Sequence, residues 1–544
     1  MSRFDYLLGR VSLDSARQHL FAGKVFADKD LFDEAIKHYR KGLKMYGQLL
    51  DENDPLIAAA CLNYSLVLRD IGNYEEAADV CRKAISIYAE NAGREADEQN
   101  AYTHLGVTYM SGGKNEQALG AFLKAKELIS GDKELASSLF YIGTLYNKMG
   151  RFEEAWDTLN QSYNLLFSFP EKDSVFEAGL LLSMGVNRDN IGDYEEALRY
   201  YTLARRRQEE YHESPRILAV TEDNIASAYE KIGEWKEAIK SYRRAISIHQ
   251  EGYAQDHYCL LNWYKKIGYI EFQQGLYSFA KDDYLSARYH AQKLHVNSEF
   301  ETADLYYAAG ICEYNREKID EAVKYSLKAI SLFQKDKIHN QREIALSYEL
   351  VGNCLARSKG GKEKPEDYYL KAIALYHAMA EDAPASLCLV CGIHLINSKR
   401  YPESRKCSEE ALRGFLKELD LAGNTDHGTS GNSFFSIVDG IAQCHYNIGF
   451  VHYIDVEYVN AVKEFISAYA WYRYCLSLES DNDATAEGIM ACEEQLKLIY
   501  QLNSQNPELA FSIFEKAGKE LEEEYGVDST ESNISKQWIQ RYSC

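Results

Sequence analysis

The sequence predicts an all-α solenoid in which one helix pair is repeated along the 544-residue chain. Small residues recur at near-constant spacing, at Gly23, Ser65, Gly106, Gly143, Gly185, Ala226, Gly268, Gly310, Gly352, Gly392 and Gly449. An alanine follows most of them twelve residues later, at Ala35, Ala77, Ala118, Ala155, Ala197, Ala238, Ala280, Ala322 and Ala461. A single globular core does not produce such a period, whereas an array of like supersecondary units does.

Each repeat is expected to hold two amphipathic helices joined by a glycine turn. In the sixth repeat, apolar residues recur at three- and four-residue spacing over residues 220–231 and again over residues 235–250, on either side of Gly233. The turn glycines would end the first helices with positive φ. They are Gly72, Gly113, Gly150, Gly192, Gly233 and Gly275.

The small residues predict where the two helices of a pair touch. Helices joined by a short turn pack antiparallel, and their axes approach within about 8–10 Å only where side chains are small. Gly268 and Ala280 would be this contact in the seventh repeat. The aromatic residues three positions before the second small residue are expected to fill the wedge toward the next repeat. They are Phe32, Tyr74, Phe152, Tyr194, Trp235, Tyr277, Tyr401 and Tyr458.

The combined pattern resembles the tetratricopeptide repeat family. The third repeat carries it as Gly106, Tyr109, Gly113, Ala118, Phe122 and Ala125. The resemblance covers residues 15–521 and implies a right-handed superhelical solenoid of about twelve antiparallel helix pairs. The repeats are about 42 residues long. Repeats of this length are similar to those of kinesin light chains and of spindle-orientation adaptors that bind G proteins. The heptad coiled coil of the first and the G-protein-binding motifs of the second are not found, so the subfamily stays open.

Departures from the repeat predict the organisation of the chain. The expected segments are an N-terminal cap (1–14), ten repeats (15–421), a flexible polar insertion (422–432), repeats eleven and twelve (433–525) and a polar tail (526–544). Leu498 stands where repeat twelve should have a small residue, which is typical of an atypical capping repeat. Trp538 is expected to dock back from the tail onto the array.

Composition limits the partner classes. Lys and Arg number 61 against 83 Asp and Glu, a formal charge of −22, which argues against nucleic acid. This charge suits a basic partner segment, but it would also serve solubility alone. No signal-peptide run or 18-residue apolar stretch occurs, so no membrane partner is expected. Twelve scattered cysteines suit a reducing compartment, and a cytoplasmic location is expected.

The chain carries no catalytic or nucleotide-binding motif, so we expect neither an enzyme nor a cofactor. Cys388, Cys391 and His394 lie at i, i+3 and i+6 and could begin a metal site. No fourth ligand stands nearby, and cysteine also fills core positions as a small hydrophobe. We therefore expect core residues here and no metal.

The resemblance implies that the first helices line the concave surface of the superhelix. Inward positions are then three before, one after and four after the small residue of each first helix. The predicted partner-binding residues are Lys265, Tyr269, Phe272, Tyr307, Ile311, Tyr314, Asn353, Ile393, Ile396, Tyr446, Phe450 and Tyr453. Aromatic side chains on a surface that faces solvent mark partner sites. The alternative is that the superhelix buries these rings against its own chain.

These observations favour a non-enzymatic adaptor that binds an extended or helical segment of another protein in its concave groove. The alternative is a peptide-gated regulator that changes conformation to control an enzyme or a transcription factor. The oligomeric state and the identity of the partner stay open at this point.

Overall fold

The computed structural model describes residues 12–29, 31–129, 131–168, 174–252, 257–294, 298–358, 363–423, 431–478, 482–503 and 505–542. Within these ranges the regular structure comprises 25 α-helices and one short 3₁₀ turn, with no β-strand. The predicted all-α class is therefore confirmed. The contacts divide the chain into two compact bodies, residues 1–255 and residues 256–544, and each is described by itself.

The N-terminal body (residues 1–255) holds six helix pairs. Odd-numbered helices are the first helices of the repeats, and even-numbered helices are the second. Their bounds are α1 (Leu13–Ala27), α2 (Phe32–Leu49), α3 (Pro55–Asp70), α4 (Tyr74–Ala89), α5 (Glu95–Ser111), α6 (Asn115–Glu127), α7 (Asp132–Lys148), α8 (Phe152–Phe167), α9 (Ser174–Asn190), α10 (Tyr194–Glu210), α11 (Pro215–Ile232) and α12 (Trp235–Gly252).

The C-terminal body (residues 256–544) continues the same alternation up to α22 and then adds α23, α24 and α25. Its helices are α13 (His257–Gln273), α14 (Tyr277–Ala291), α15 (Ser298–Asn315), α16 (Ile319–Phe333), α17 (Gln341–Arg357), α18 (Pro365–Ala378), α19 (Ala385–Asn397), α20 (Tyr401–Gly423), α21 (Gly431–Ile454), α22 (Tyr458–Leu478), α23 (Asp483–Leu502), α24 (Pro507–Tyr525) and α25 (Thr530–Tyr542). The 3₁₀ turn spans Gln334–Asp336.

The small residues of the first helices are the contact points within the pairs. A methyl group added at Gly106 would lie 2.5 Å from Cε1 of Phe122, and one at Gly268 would lie 3.2 Å from the carbonyl oxygen of Ala280. The contacted ring usually stands sixteen residues after the small residue, as Phe122 does. The aromatic residues at the helix starts are half-buried, except Tyr74, which is 36% exposed. Tyr74 lies against the next repeat, because a methyl group added at Gly112 would lie 3.1 Å from its Cβ.

The turns between paired helices need a left-handed residue. The six predicted turn glycines all have positive φ, with Gly233 at 88°. In repeats eight, ten and eleven the same turn position holds Glu317, Lys399 and Val456, with φ of 60°, 61° and 65°. A β-branched residue such as Val456 is strained in this region because its Cβ crowds the backbone.

Helices pack mainly against their chain neighbours. Each first helix contacts its own second helix, and most second helices contact the first helix of the next repeat. Several consecutive first helices also touch directly, among them α3 with α5, α15 with α17, and α19 with α21. This arrangement is that of a solenoid, in which each repeat completes the core of the one before it.

The C-terminal end departs from the predicted arrangement. Residues 526–544 are not only a polar tail, because Thr530–Tyr542 forms α25 against α24, with Trp538 5% exposed. Helix α24 packs on α22 and α25 and contacts α23 only slightly, so α24 and α25 form the terminal hairpin. Gly518 is its small contact residue, since a methyl group there would lie 2.5 Å from Oγ of Ser535.

The predicted insertion 422–432 falls largely on residues 424–430, outside the described residues.

Candidate partner-binding surface

All twelve predicted site residues lie in the C-terminal body, on the first helices α13, α15, α17, α19 and α21. Tyr269 on α13 is the most exposed of them, with 53% of its surface accessible. The other eleven are half-buried. Eleven of the predicted positions are therefore neither core nor free surface, and Tyr269 alone among the twelve is exposed.

Two of the three predicted residues on α13 contact other residues of the chain. Lys265 donates a hydrogen bond from Nζ to Oε2 of Glu301 on α15, at 2.8 Å. Phe272 packs edge to face against Tyr277, with ring centroids 5.3 Å apart. Lys265 is therefore paired within its own chain, and Tyr269 is the most exposed of the three predicted residues on α13.

On α15 and α17 the predicted residues are partly engaged with neighbours. The guanidinium of Arg357 lies 4.1 Å from the ring centroid of Tyr314, a cation–π contact. Tyr369 on α18 donates its hydroxyl hydrogen bond to Oδ1 of Asn353 at 2.8 Å. Ile311 packs at the edge of a small core cluster between α16 and α17. These contacts hold the side chains in place on the surface.

Two carboxylates flank Tyr307 between α15 and α17, and we call Asp304, Tyr307 and Glu349 the carboxylate–tyrosine patch. Burial raises the pKa of Asp304, while the charge of Lys265 lowers it in part. Burial alone raises the pKa of Glu349. Burial and then the charge of Glu349 raise the pKa of Tyr307 to about 12. Among the described residues neither carboxylate has a hydrogen-bond or ion-pair partner.

The sequence pattern identified only part of this patch. Tyr307 was predicted as a site residue, and Glu349 stands three residues before Gly352, at a position predicted to face inward in repeat nine. Asp304 was missed because it lies one helical turn before Tyr307, outside the three positions taken from each repeat. Extending the same helix face by three residues would have found it, since residues at i and i+3 share a face.

The rings of repeat eleven contact their own chain. Tyr446 lies with its ring centroid 5.5 Å from that of Phe465, and Tyr453 lies 6.2 Å from Tyr458. Together with Phe450 these rings border the core cluster of α22–α25. Ile393 likewise packs against a core cluster on α19. Self-burial therefore describes the rings of repeat eleven, whereas Tyr269 on α13 is the predicted residue that is exposed.

The cysteines of repeat ten occupy core positions. Cys388 and Cys391 are fully buried, and Sγ of Cys391 lies 4.0 Å from Sγ of Cys407. His394 packs against Tyr369 with ring centroids 5.7 Å apart. Across the ranges that the structure describes, no group of three or more His, Cys, Asp or Glu side chains is arranged to hold a metal ion.

Across the same ranges, no helix combines the length and apolar character that a bilayer crossing requires.

Comparison with known proteins gives a family match and several distant relatives. A family profile described as "Tetratricopeptide repeat" matches residues 16–90, 178–251 and 216–293. The curated "Protein KINESIN LIGHT CHAIN-RELATED 3" of Arabidopsis thaliana is 27% identical over 239 residues, which are 42% of this chain and 36% of that protein. "Protein KINESIN LIGHT CHAIN-RELATED 2" of the same plant is 23% identical over 333 residues, 56% of this chain and 47% of that protein.

The matched part of the chain spans less than half the length of these curated relatives. Among solved structures, the apo form of RapI aligns with a TM-score of 0.41 at 17% identity. That alignment covers 67% of this chain and 98% of RapI.

Proposed function

Because the chain carries tetratricopeptide repeats, we propose that it is a non-enzymatic adaptor that binds a basic segment of another protein. The segment would lie across the first helices α13, α15 and α17 of the C-terminal body. Tyr269 and Tyr307 would provide ring surface, and Asp304 and Glu349 would provide charge. Repeat arrays present such extended surfaces because their first helices stand side by side.

The carboxylate–tyrosine patch is the observation that supports this proposal. Partly desolvated carboxylates without a partner are unfavourable, and a lysine or arginine between them would form charge-assisted hydrogen bonds. The same cation could approach the ring of Tyr307, which attracts positive charge to its face. The net charge of −22 would draw a basic segment toward the protein over longer distances.

We expect Tyr269→Ala to weaken binding of a basic peptide by at least about tenfold, because an exposed ring at an interface commonly contributes more than 1.4 kcal/mol. The measurement is a peptide-array screen on the full chain, followed by titration of the best lysine- or arginine-rich peptide.

The matched control for Tyr269 is Tyr289→Ala. Tyr289 is 52% exposed but lies on the second helix α14 of the same repeat. Equal losses of affinity for the two variants, or enrichment of acidic peptides in the screen, would contradict the proposed groove. Circular dichroism should show unchanged helicity for both.

Binding should also depend on pH through Asp304 and Glu349. Their pKa values are raised in the free protein, so both carboxyls take up protons at a higher pH than usual. The affinity for the basic peptide should therefore fall as the pH is lowered from 7 through this raised range, above the ordinary value of about 4. The free energy of unfolding should depend on pH in the opposite direction. Protonation of the two carboxyls removes the penalty of burying their charge, so these groups favour folding more at lower pH.

The double variant Asp304→Asn with Glu349→Gln should remove most of this pH dependence and lower the affinity at pH 7. Asp320→Asn, at an exposed position on α16, is the control and should leave both unchanged. An undiminished pH dependence in the double variant would assign it to other groups. Small-angle scattering of the same complex tests the peptide-gated alternative, which requires compaction on binding.

A further inference from the structure

A cavity of about 410 Å³ lies in the N-terminal body between α7, α9, α10 and the start of α11. Its walls include the rings of Phe140 and Phe176, which meet edge to face with centroids 5.6 Å apart. Gln208 on α10 lines the same cavity and is 1% exposed. Neither Nε2 nor Oε1 of Gln208 has a hydrogen-bond partner among the described residues.

Gln208 is unusual for its place in the repeat. In eight of the ten other repeats with a named small residue, the residue 23 positions later is a buried apolar or aromatic side chain, and the exceptions are the half-buried Ile129 and the buried His249. The eight residues are Tyr46, Tyr88, Leu166, Ala291, Phe333, Leu375, Phe415 and Tyr472. A glutamine at this core position leaves two donors and one carbonyl acceptor buried without a partner beside the cavity. Buried amides are almost always hydrogen-bonded, so this one calls for an explanation.

We propose that this cavity is a binding site for a small neutral molecule that carries an amide on an apolar or aromatic body. The amide carbonyl of the ligand would accept a hydrogen bond from Nε2 of Gln208, and its N–H would donate one to Oε1. The rings of Phe140 and Phe176 would pack against the apolar body. The size of the cavity lies in the range of small-molecule sites.

Glu213 makes binding of an acidic ligand in this cavity unfavourable. It lines the cavity between α10 and α11, and burial raises the pKa of its carboxyl. A ligand carboxylate would face the negative charge of Glu213 when that carboxyl is ionised. A neutral amide keeps both hydrogen bonds to Gln208 without this repulsion. The site lies in a different body from the proposed partner groove, so either proposal can fail alone.

The test uses N-acetyl-L-phenylalaninamide as the probe, titrated into the full chain and followed by saturation-transfer NMR. The wild type should bind it at least about tenfold more tightly than Gln208→Met, because both hydrogen bonds are lost in the variant. N-acetyl-L-phenylalanine, which carries a carboxylate, should bind at least about tenfold more weakly than the amide. Gln117→Met removes an exposed glutamine from α6 and should leave binding of the probe unchanged.

The unliganded protein provides a second readout with a definite sign. Gln208→Met replaces an unpaired buried amide by an apolar group, as most other repeats have here, and should raise the Tm. Gly179→Leu keeps Gln208 but adds a side chain beside Phe140, where a methyl group would lie 3.6 Å from Cζ, and should abolish probe binding. A lowered Tm for Gln208→Met, equal probe affinity of that variant and wild type, or no binding to wild type would each overturn the proposal.

Discussion

Trp538→Ala is expected to destabilise the terminal hairpin of α24 and α25 by about 3–5 kcal/mol, the usual cost of truncating a buried tryptophan. Trp538 is 5% exposed and belongs to a core cluster with Phe514, Leu521 and Ile534. Hydrogen exchange followed by mass spectrometry should show faster exchange over residues 507–542. Because repeats contact mainly their neighbours, protection in the N-terminal body should not change.

Gln537→Ala is the control one residue away. Gln537 is exposed on α25, so its replacement should change stability by less than about 0.5 kcal/mol. If Trp538→Ala left exchange of α24 and α25 unaltered, α25 would not belong to the folded core.

Gly106→Ala should destabilise the third repeat by about 1–3 kcal/mol, because added volume in a packed contact forces displacement of its neighbours. The added methyl group would lie 2.5 Å from the ring of Phe122, which is fully buried. Denaturant unfolding combined with hydrogen exchange of α5 and α6 measures the loss.

Gly120→Ala, in contrast, should raise the free energy of unfolding. Gly120 lies on the exposed side of α6, and no other atom lies within 4 Å of the added methyl group. Alanine in an exposed helix interior is favoured over glycine by up to about 1 kcal/mol. Destabilisation by Gly120→Ala equal to that by Gly106→Ala would show that helix propensity, and not the pair contact, governs these positions.

The periodic part of the fold was predictable because it depends on local chemistry. The sixth repeat was expected over residues 220–231 and 235–250, and the helices run over Pro215–Ile232 and Trp235–Gly252. The glycine turn fixes the start of the second helix, so that boundary agreed. The start of the first helix and the end of the second depend on the loops between repeats, which carry no periodic signal. At these two ends the helices are longer than predicted.

The terminal hairpin was missed because its signals are sparse. Gly518 marks the pair contact, but α25 is only 13 residues long and its apolar residues Ile534 and Trp538 stand among polar ones. A repeat pattern cannot identify an element that occurs once. Its burial becomes evident only when α22, α24 and α25 are seen together.

Part of the proposed surface follows from position in the repeat, but its chemistry does not. Position rules found the exposed ring of Tyr269 and the half-buried ring of Tyr307. Asp304 gains its raised pKa from burial between neighbouring helices, which no single helix reveals. Gln208 is equally inconspicuous in sequence, since glutamine is common on helix surfaces. Only the packing of α7, α9 and α10 around it leaves its amide buried without a partner.

The packing of helices mainly on chain neighbours has a consequence for biosynthesis. Within each body, a newly synthesised hairpin that leaves the ribosome finds the preceding hairpin already complete and its docking face exposed. Loop closure is short at every step, so little entropy is lost before each contact forms. Folding can therefore keep pace with translation, one hairpin after another, and α25 covers the free face of α24 only after α24 itself has left the ribosome.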